Sequence, residues 1–330
     1  MKISNKNILV TGGAGFIGSH TCKILKKNGY IPIVFDNLSN GYKKSIKRFK
    51  LIKGNLANKK LLKKTISVYK PEAIFHFAAL TSLPDSLKYP KKYYKNNVVY
   101  SKNLIDIASS LGVKKFIFSS SCAVYGNSPK NPVRLTSKTK PSNSYAKGKL
   151  IIENYLKKNN IKKTLSSVSL RYFNASGADP ELEIGDMNFN SKKLIPRILY
   201  SVIKKKKFFI NGSNYKTKDG TCVRDFIHVC DLATAHLSAL KYLKKNKGAF
   251  KFNLGSGKGY SILEIIKVIE KITNLKVEYF FKNRRNGDVP ELYTKKKEIK
   301  NFVWYPKRSK LFYIINDSWL WYKKNFKIIK

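Results

Sequence analysis

Apolar, β-branched runs lie at residues 7–11, 31–36, 73–77, 115–119 and 166–171, and longer stretches with helical periodicity separate them. The clearest amphipathic segments are 19–28, 59–69 and 97–111. Short strands alternating with helices at this spacing predict an α/β fold, a Rossmann-type doubly wound parallel sheet. Pro32 falls inside the second run. A proline there would remove a ladder donor from a central strand, so it is placed at the strand's entry. After about Asn174 the rhythm changes. Residues 178–191 are rich in Gly, Asp, Asn and Pro and read as a loop. A helix over 194–205, short strands and a helix over 261–273 follow. This predicts a Rossmann domain over 1–174 and a smaller α/β lobe over 175–330, with segments near 224–255 returning to the first domain. No internal repeat is visible.

The chain's 330 residues are enough for about two domains with a large core. Hydrophobic residues make up 42% and aromatic residues 13%, which excludes a disordered chain despite the charge. That charge is +48. Residues 1–165 carry 33 basic and 5 acidic side chains, the remainder 34 and 14. Lysine is thus spread along the whole chain, its longest run being Lys204 to Lys207. An even spread fits compositional drift at surface positions better than a nucleic-acid footprint, so no nucleic-acid partner is expected. Met1–Asn7 is short and polar, so no secretory leader is expected. No apolar stretch nears the length of a membrane span. Cys22, Cys122, Cys222 and Cys230 form no C-x-x-C pair and have no histidine at zinc spacing. They read as reduced thiols of a cytoplasmic protein, with no metal expected.

Thr11-Gly12-Gly13-Ala14-Gly15-Phe16-Ile17-Gly18 joins the first strand to the first helix. Glycines there permit a tight turn and let backbone approach a pyrophosphate, which the helix N-terminus would hold. Asp36 closes the second strand. A carboxylate at that place accepts ribose hydroxyls and repels a 2′-phosphate, so NAD is favoured over NADP. His76-Phe77-Ala78-Ala79-Leu80 ends the strand begun at residue 73 with small residues that leave room over a nucleotide crevice. His76 by itself reads as a packed core histidine.

Tyr145 and Lys149 fall at i and i+4 on one helix face. A lysine ammonium and a positive nicotinamide ring would favour the phenolate, making Tyr145 a general base. Phe118-Ser119-Ser120-Ser121 ends the fifth strand and offers a hydroxyl to a substrate oxygen. Ser121-Cys122-Ala123-Val124-Tyr125-Gly126 contains no Asp or Glu. Elimination of water or carbon dioxide on this scaffold needs such an extra acid or base, so redox at a carbinol carbon is the better reading.

These motifs together resemble the extended short-chain dehydrogenases/reductases, and within them the UDP-sugar 4-epimerases. The resemblance runs from about Asn7 to Lys310. It rests on the glycine motif, Asp36-Asn37-Leu38, Tyr93-Tyr94-Lys95-Asn96-Asn97-Val98, Ser121, Tyr145 with Lys149, and Leu170-Arg171-Tyr172-Phe173-Asn174. Its most specific stretch is Thr217–Val229, containing Arg224-Asp225-Phe226-Ile227-His228. Asn253–Ser261 and Arg284-Arg285-Asn286-Gly287-Asp288 add to it.

The resemblance implies interconversion of UDP-glucose and UDP-galactose with tightly held NAD, or 4-epimerisation of another UDP-sugar, an N-acetylhexosamine or a pentose. It implies catalysis by Tyr145, Lys149 and Ser121. It implies cofactor binding by Gly12, Gly15, Phe16, Ile17, Gly18, Asp36, Asn37, Asn55, Leu56, Phe77, Ala78, Ala79, Asn97, Ser119, Tyr145, Lys149, Tyr172 and Phe173. The UDP-sugar would be held by Ser121, Tyr145, Asn174, Lys193, Leu194, Asn211, Arg224, Arg285, Asp288 and Leu292. A homodimer through the helices near 97–111 and 145–157 is also implied. Five positions depart from the family pattern. Asn55 stands for an Asp near the adenine, and Thr81 for a Lys near the cofactor. Lys193 stands for an Asn or His near the uridine, and Asn211 for an aromatic near the uracil. Leu292 stands where a Tyr or a small residue gates N-acetylated sugars.

Overall fold

The computed structural model describes residues 6–126, 130–161, 165–188, 191, 193–285, 288–295 and 302–326. The first half alternates β1 (Asn7–Thr11), α1 (Phe16–Lys27), β2 (Ile31–Asp36), β3 (Lys50–Lys53), α2 (Lys59–Tyr69) and β4 (Ala73–His76). Two short helices, α3 (Leu83–Lys88) and α4 (Pro90–Tyr94), lead through a π turn at Lys95–Val99 into α5 (Tyr100–Ser110). Then come β5 (Lys115–Ser121), a 3-10 turn at Cys122–Tyr125, α6 (Ser144–Ile161), β6 (Ser166–Tyr172) and β7 (Asn174–Ser176). The remainder is α7 (Leu194–Ile203), β8 (Phe208–Asn211), β9 (Val223–His228), α8 (Val229–Lys245), β10 (Ala249–Leu254), β11 (Gly259–Ser261), α9 (Ile262–Thr273), β12 (Tyr279–Lys282), β13 (Glu291–Leu292) and α10 (Leu311–Phe326).

Seven parallel strands run in the order β10-β6-β5-β4-β1-β2-β3. Period-2 geometry splits each strand between two cores. Ile8, Val10, Val34, Phe75 and Leu170 face a cluster with Leu25 of α1 and Leu232 and Leu240 of α8. Leu9, Ile33, Phe35, Ile74 and Phe116 face a second cluster with Leu62 of α2, Leu104 of α5 and Ile152 of α6. Burial on both faces is why these strands read as continuous apolar runs. Pro32 pairs with Ile8, but the ladder to β3 begins only at Ile33, so its missing N–H is harmless.

The second lobe surrounds β9. It pairs with β11, β13 and β7, while β8 and β12 form a separate two-stranded sheet. Its core joins Ile195, Ile198 and Leu199 of α7, Ile265 and Ile269 of α9, and Ile314, Trp319 and Tyr322 of α10. Ser261 and Glu264 form a reciprocal capping box that starts α9. β10 lies on the edge of the large sheet beside β6, and α8 packs on α1, whereas β9 remains in the lobe. Chain after residue 174 therefore contributes to both sheets.

The lobes are also joined by charge. Lys23 of α1 reaches Asp179 at 2.5 Å, Glu181 at 2.8 Å and Glu183 at 3.0 Å. Lys27 pairs with Glu181, and Arg48 with Glu183 at 2.8 Å. The acidic loop thus sits against the helix that opens at the glycine turn. Among the described residues no helix is long and apolar enough to cross a membrane. All four cysteines are unpaired.

Candidate active site

The C-terminal ends of β1, β2, β4, β5 and β6 form one edge of the sheet. From β1 the chain passes to β2 and β3 on one side, while β4, β5 and β6 extend the other. The crevice of an open parallel sheet lies where the order reverses, here between β1 and β4. The two turns meet there. Gly12 has φ +71°, and a Cβ on it would lie 2.5 Å from the Ala78 nitrogen. Thr11 O accepts from the N–H groups of Phe77 (2.8 Å) and Ala78 (3.1 Å). A Cβ on Gly18 would lie 2.3 Å from Gly12 O, so helix and turn touch through bare backbone.

No side chain caps the N-terminus of α1, which starts after Gly15. Its first-turn N–H groups and positive dipole end face the crevice. Asp36 Oδ2 accepts from Ala14 N at 3.0 Å and Oδ1 from Leu38 N at 2.8 Å. Burial raises the Asp36 carboxyl, and those two hydrogen bonds oppose the shift. This cradle fits a dinucleotide: backbone donors for a pyrophosphate and a fixed carboxylate beyond them. Asn37 and Asn55 fold back on their own loops, accepting from Ser39 N and Ala57 N. Leu56 is buried beside them.

Asn97 lies in the π turn, not in the α-helix expected from residue 97. Its side chain accepts from Leu80 N at 2.9 Å and donates to Leu80 O at 2.8 Å. The expanded turn brings this amide to the strand-end loop, so Asn97 fixes Ala78, Ala79 and Leu80 in place. His76 is a satisfied core histidine. It bridges Thr11 Oγ1 at 2.7 Å and Ser101 Oγ at 2.8 Å, and burial, with the Lys149 charge, holds it down to about 3.

α6 lays Tyr145 and Lys149 against the end of β5. Both are buried. The Ser121 side chain neighbours the Tyr145 hydroxyl, and its Oγ accepts from Ala123 N at 3.2 Å. Lys149 Nζ donates to Ser119 O at 2.6 Å and lies 5.6 Å from the Tyr145 ring centre. Ser119 Oγ contacts the Tyr172 hydroxyl, and Phe173 N donates to Leu254 O. The electrostatics correct one expectation. Burial pushes Tyr145 up to about 12, opposed by the Ser121 side chain, and Lys149 is not among the groups that lower it. Burial also draws Lys149 down to about 7, opposed by Glu153. In the protein alone desolvation outweighs the lysine's field, because that ammonium is turned toward the Ser119 carbonyl.

The lobe supplies a second group. Asp288 Oδ1 accepts from Arg285 at 2.7 Å and lies 4.0 Å from Arg224. Arg224 also donates to Val223 O and Pro290 O. Two guanidiniums around one carboxylate suit a diphosphate. Asn286 and Gly287 of this motif lie outside the described residues. Asn174 donates to Asp225 O at 2.8 Å, joining β7 to β9. Lys193 pairs with Asp186 at 3.1 Å and stands 4.2 Å from the Phe16 ring centre, so lobe and glycine turn meet there. Leu194 starts α7 beside it. Leu292 is buried with Cys122, Tyr125 and Phe173. Asn211 stands apart at the end of the two-stranded sheet, opposite Lys282.

Three residues were not assigned to the site from sequence, although Arg171 and Asp225 lie in motifs quoted above. Asp225 accepts from Ser256 N and Oγ and from Gly257 N, shaping the loop after β10, and burial raises it to about 6. Glu153 and Arg171 are paired and buried behind Lys149. The i+4 spacing from Lys149 to Glu153 was the available signal.

A profile of the NAD dependent epimerase/dehydratase family matches residues 8–255. A protein of Rhizobium meliloti (strain 1021) named UDP-glucose 4-epimerase is 39% identical over 323 residues, covering 98% of each chain. The crystal structure of UDP-glucose 4-epimerase from Brucella ovis in complex with NAD superposes with a TM-score of 0.92 at 39% identity, covering 96% of this chain and 98% of that one. The UDP-Glc/GlcNAc 4-epimerase of Campylobacter jejuni superposes with a TM-score of 0.83 at 37% identity, covering 97% and 99%.

Proposed function

The chain belongs to the NAD dependent epimerase/dehydratase family, and from this we infer that it interconverts UDP-glucose and UDP-galactose with NAD as cofactor. The observation that carries the reading is the convergence of Ser121, Tyr145 and Lys149 on the crevice edge of β5, beside the glycine turn. Bound in that crevice, NAD supplies a reversible hydride acceptor and a positively charged ring. The α1 N-terminus, Gly12, Gly15 and Asp36 would hold it, and Asn97 keeps the Ala78–Leu80 loop in shape against it.

Tyr145 takes the proton from the sugar 4-hydroxyl and later returns it. Ser121, beside Tyr145, orients that oxygen. Lys149 fixes the β5 end through Ser119 O, its Nζ 5.6 Å from the Tyr145 ring centre. C4 is the one stereocentre that distinguishes the two sugars, so the hydride must leave one face of C4 and return to the other, while the proton leaves and returns at the 4-oxygen. The absence of Asp or Glu from 121–126 supports redox without elimination. Arg224 and Arg285, aligned by Asp288, would hold the diphosphate, with Asp288, Asn174, Lys193 and Leu194 holding the rest of the UDP moiety. Leu292 walls the sugar pocket together with Cys122 and Phe173. A medium-sized side chain there, and the likeness to a UDP-Glc/GlcNAc 4-epimerase, favour N-acetylated UDP-sugars as second substrates. The protein acts as a homodimer through the outer faces of α5 and α6.

Purified protein supplied with UDP-galactose and no added NAD should form UDP-glucose, followed through a coupled UDP-glucose dehydrogenase. Tyr145→Phe should lower kcat by roughly 10²–10⁴-fold. UDP-N-acetylgalactosamine in the same preparation, read by chromatography, tests the wider scope. A wild-type protein that holds NAD yet turns over neither sugar refutes the reading.

A further inference from the structure

Behind the Ser121–Tyr145–Lys149 set lies a buried polar network. Tyr145, Lys149 and Glu153 follow one another at four-residue steps on one face of α6. Glu153 accepts from Ser120 Oγ at 2.6 Å and from Arg171 Nε at 2.8 Å, and pairs with Arg171 Nη2 at 2.5 Å. Arg171 Nη1 donates to the Tyr125 hydroxyl at 3.0 Å, which in turn donates to Asn253 Oδ1 at 2.7 Å. Ser120, Arg171 and Asn253 stand side by side in the sheet register across β5, β6 and β10. Glu153 and Arg171 are each about 1–2% exposed at the side chain. Ser120 directly precedes Ser121, and Tyr125 ends the 3-10 turn that follows it. The network therefore grips the chain on both sides of Ser121 and ties it to the helix carrying Tyr145 and Lys149.

We propose that Glu153 and Arg171 are positioning residues for the catalytic set, locking the Ser119–Ser121 end of β5 onto the Tyr145–Lys149 face of α6. The proposal rests on the catalytic reading above and names residues outside the reacting atoms. Burying a charged pair is costly, and an apolar pair would pack this space at least as well, so stability does not account for it. Its bidentate geometry does, because it fixes both distance and angle between helix and strand. The field acts in the same direction. Lys149 faces Tyr145 and Glu153 on its own helix and His76 from β4, and Arg171 is balanced by Glu153. Among these, the Glu153 carboxylate favours the charged form of Lys149.

The test is Glu153→Gln, with Glu153→Asp and Tyr145→Phe alongside. Each is assayed for NAD content, thermal midpoint, kcat, KM and the pH profile of kcat. Glu153→Gln should keep its NAD and lose roughly 10–100-fold in kcat, as small misplacements of catalytic groups do. KM should stay within about twofold of wild type. Loss of the carboxylate lowers Lys149, so the alkaline limb of the profile should move to lower pH. Glu153→Asp should restore that limb. If Glu153→Gln does not fold, Glu153→Asp carries the test through its reduced kcat, since it withdraws the carboxylate by one methylene. A folded variant with wild-type kcat and profile, altered only in thermal midpoint, overturns the proposal. An active Tyr145→Phe overturns the catalytic reading itself.

Discussion

Gly12 and Gly18 show how much a single residue decides in this site. At both, backbone of one turn occupies the volume a Cβ would need, 2.5 Å from Ala78 N and 2.3 Å from Gly12 O. Side-chain freedom is thereby excluded from the pyrophosphate cradle. Gly18→Ala should push α1 from the glycine turn and cost about 1–3 kcal/mol, the usual range for overpacking. It should also strip NAD. Nicotinamide released per chain after acid denaturation measures this, and full NAD content would refute it. The glycines, Asp36, and the spacing from Tyr145 to Lys149 were all legible in the sequence, since each is a local pattern. The pairing of Glu153 with Arg171 was not, because 18 positions separate them and only the sheet register brings them together.

At the scale of elements, the strongest periodicities located the chain best. β1, β2 and α2 have the bounds the pattern predicts. β3, with both ends exposed and only four residues, left no apolar run to find. α5 begins at Tyr100 rather than Asn97, because the Asn97 amide is committed to Leu80 and the preceding turn is π. Beside this turn Leu87, Tyr94 and Val99 are exposed, a degree of apolar surface that supports a self-association face with α5 and α6. Sedimentation should give twice the 37.8 kDa chain mass. Val99→Glu should shift the protein toward single chains, and a wild-type protein that sediments as one chain at micromolar concentration refutes the dimer. Tyr155 donates to Asp106 at 2.6 Å, joining α5 to α6.

At the scale of the molecule, charge and burial set the response to pH. The +48 charge leaves few acidic groups. Several of them serve tertiary joints: Glu181 and Glu183 with α1, Glu153 with Arg171, and Asp317 with Arg308 and His228. The remaining lysine charge is spread along the chain and would speed capture of an anionic ligand at low ionic strength. Burial holds His20 and His236 down to about 4 and His76 to about 3. Each is neutral in the fold and gains a proton near 6.5 when unfolded. Unfolded chains thus bind more protons below about 6.5, and stability falls with pH from there to about 4 for two rings and about 3 for the third. Asp225, raised to about 6, acts oppositely between 6 and its unfolded value. Asp36, also raised by burial, adds to the opposing side, and three rings against two carboxyls leave a net loss. The thermal midpoint should fall steadily from pH 6.5 to 4, and a flat or rising profile there refutes the assignment.

The sequence by itself determined the parallel sheet, its glycine turn, the helix that carries Tyr145 and Lys149, and the family. Each of these is encoded in residues close along the chain, as a period, a spacing or a turn chemistry. Tertiary structure decided the rest. It joined β10 to the large sheet while leaving β9 in the lobe, and it closed Arg285 and Asp288 on Arg224. It turned the Lys149 ammonium toward a carbonyl and placed Glu153 behind it. In the protein alone it also set burial against the phenolate of Tyr145. A phenol's ionisation depends on how much water packing removes as well as on the nearest charge, and packing is a property of chain segments far apart in sequence.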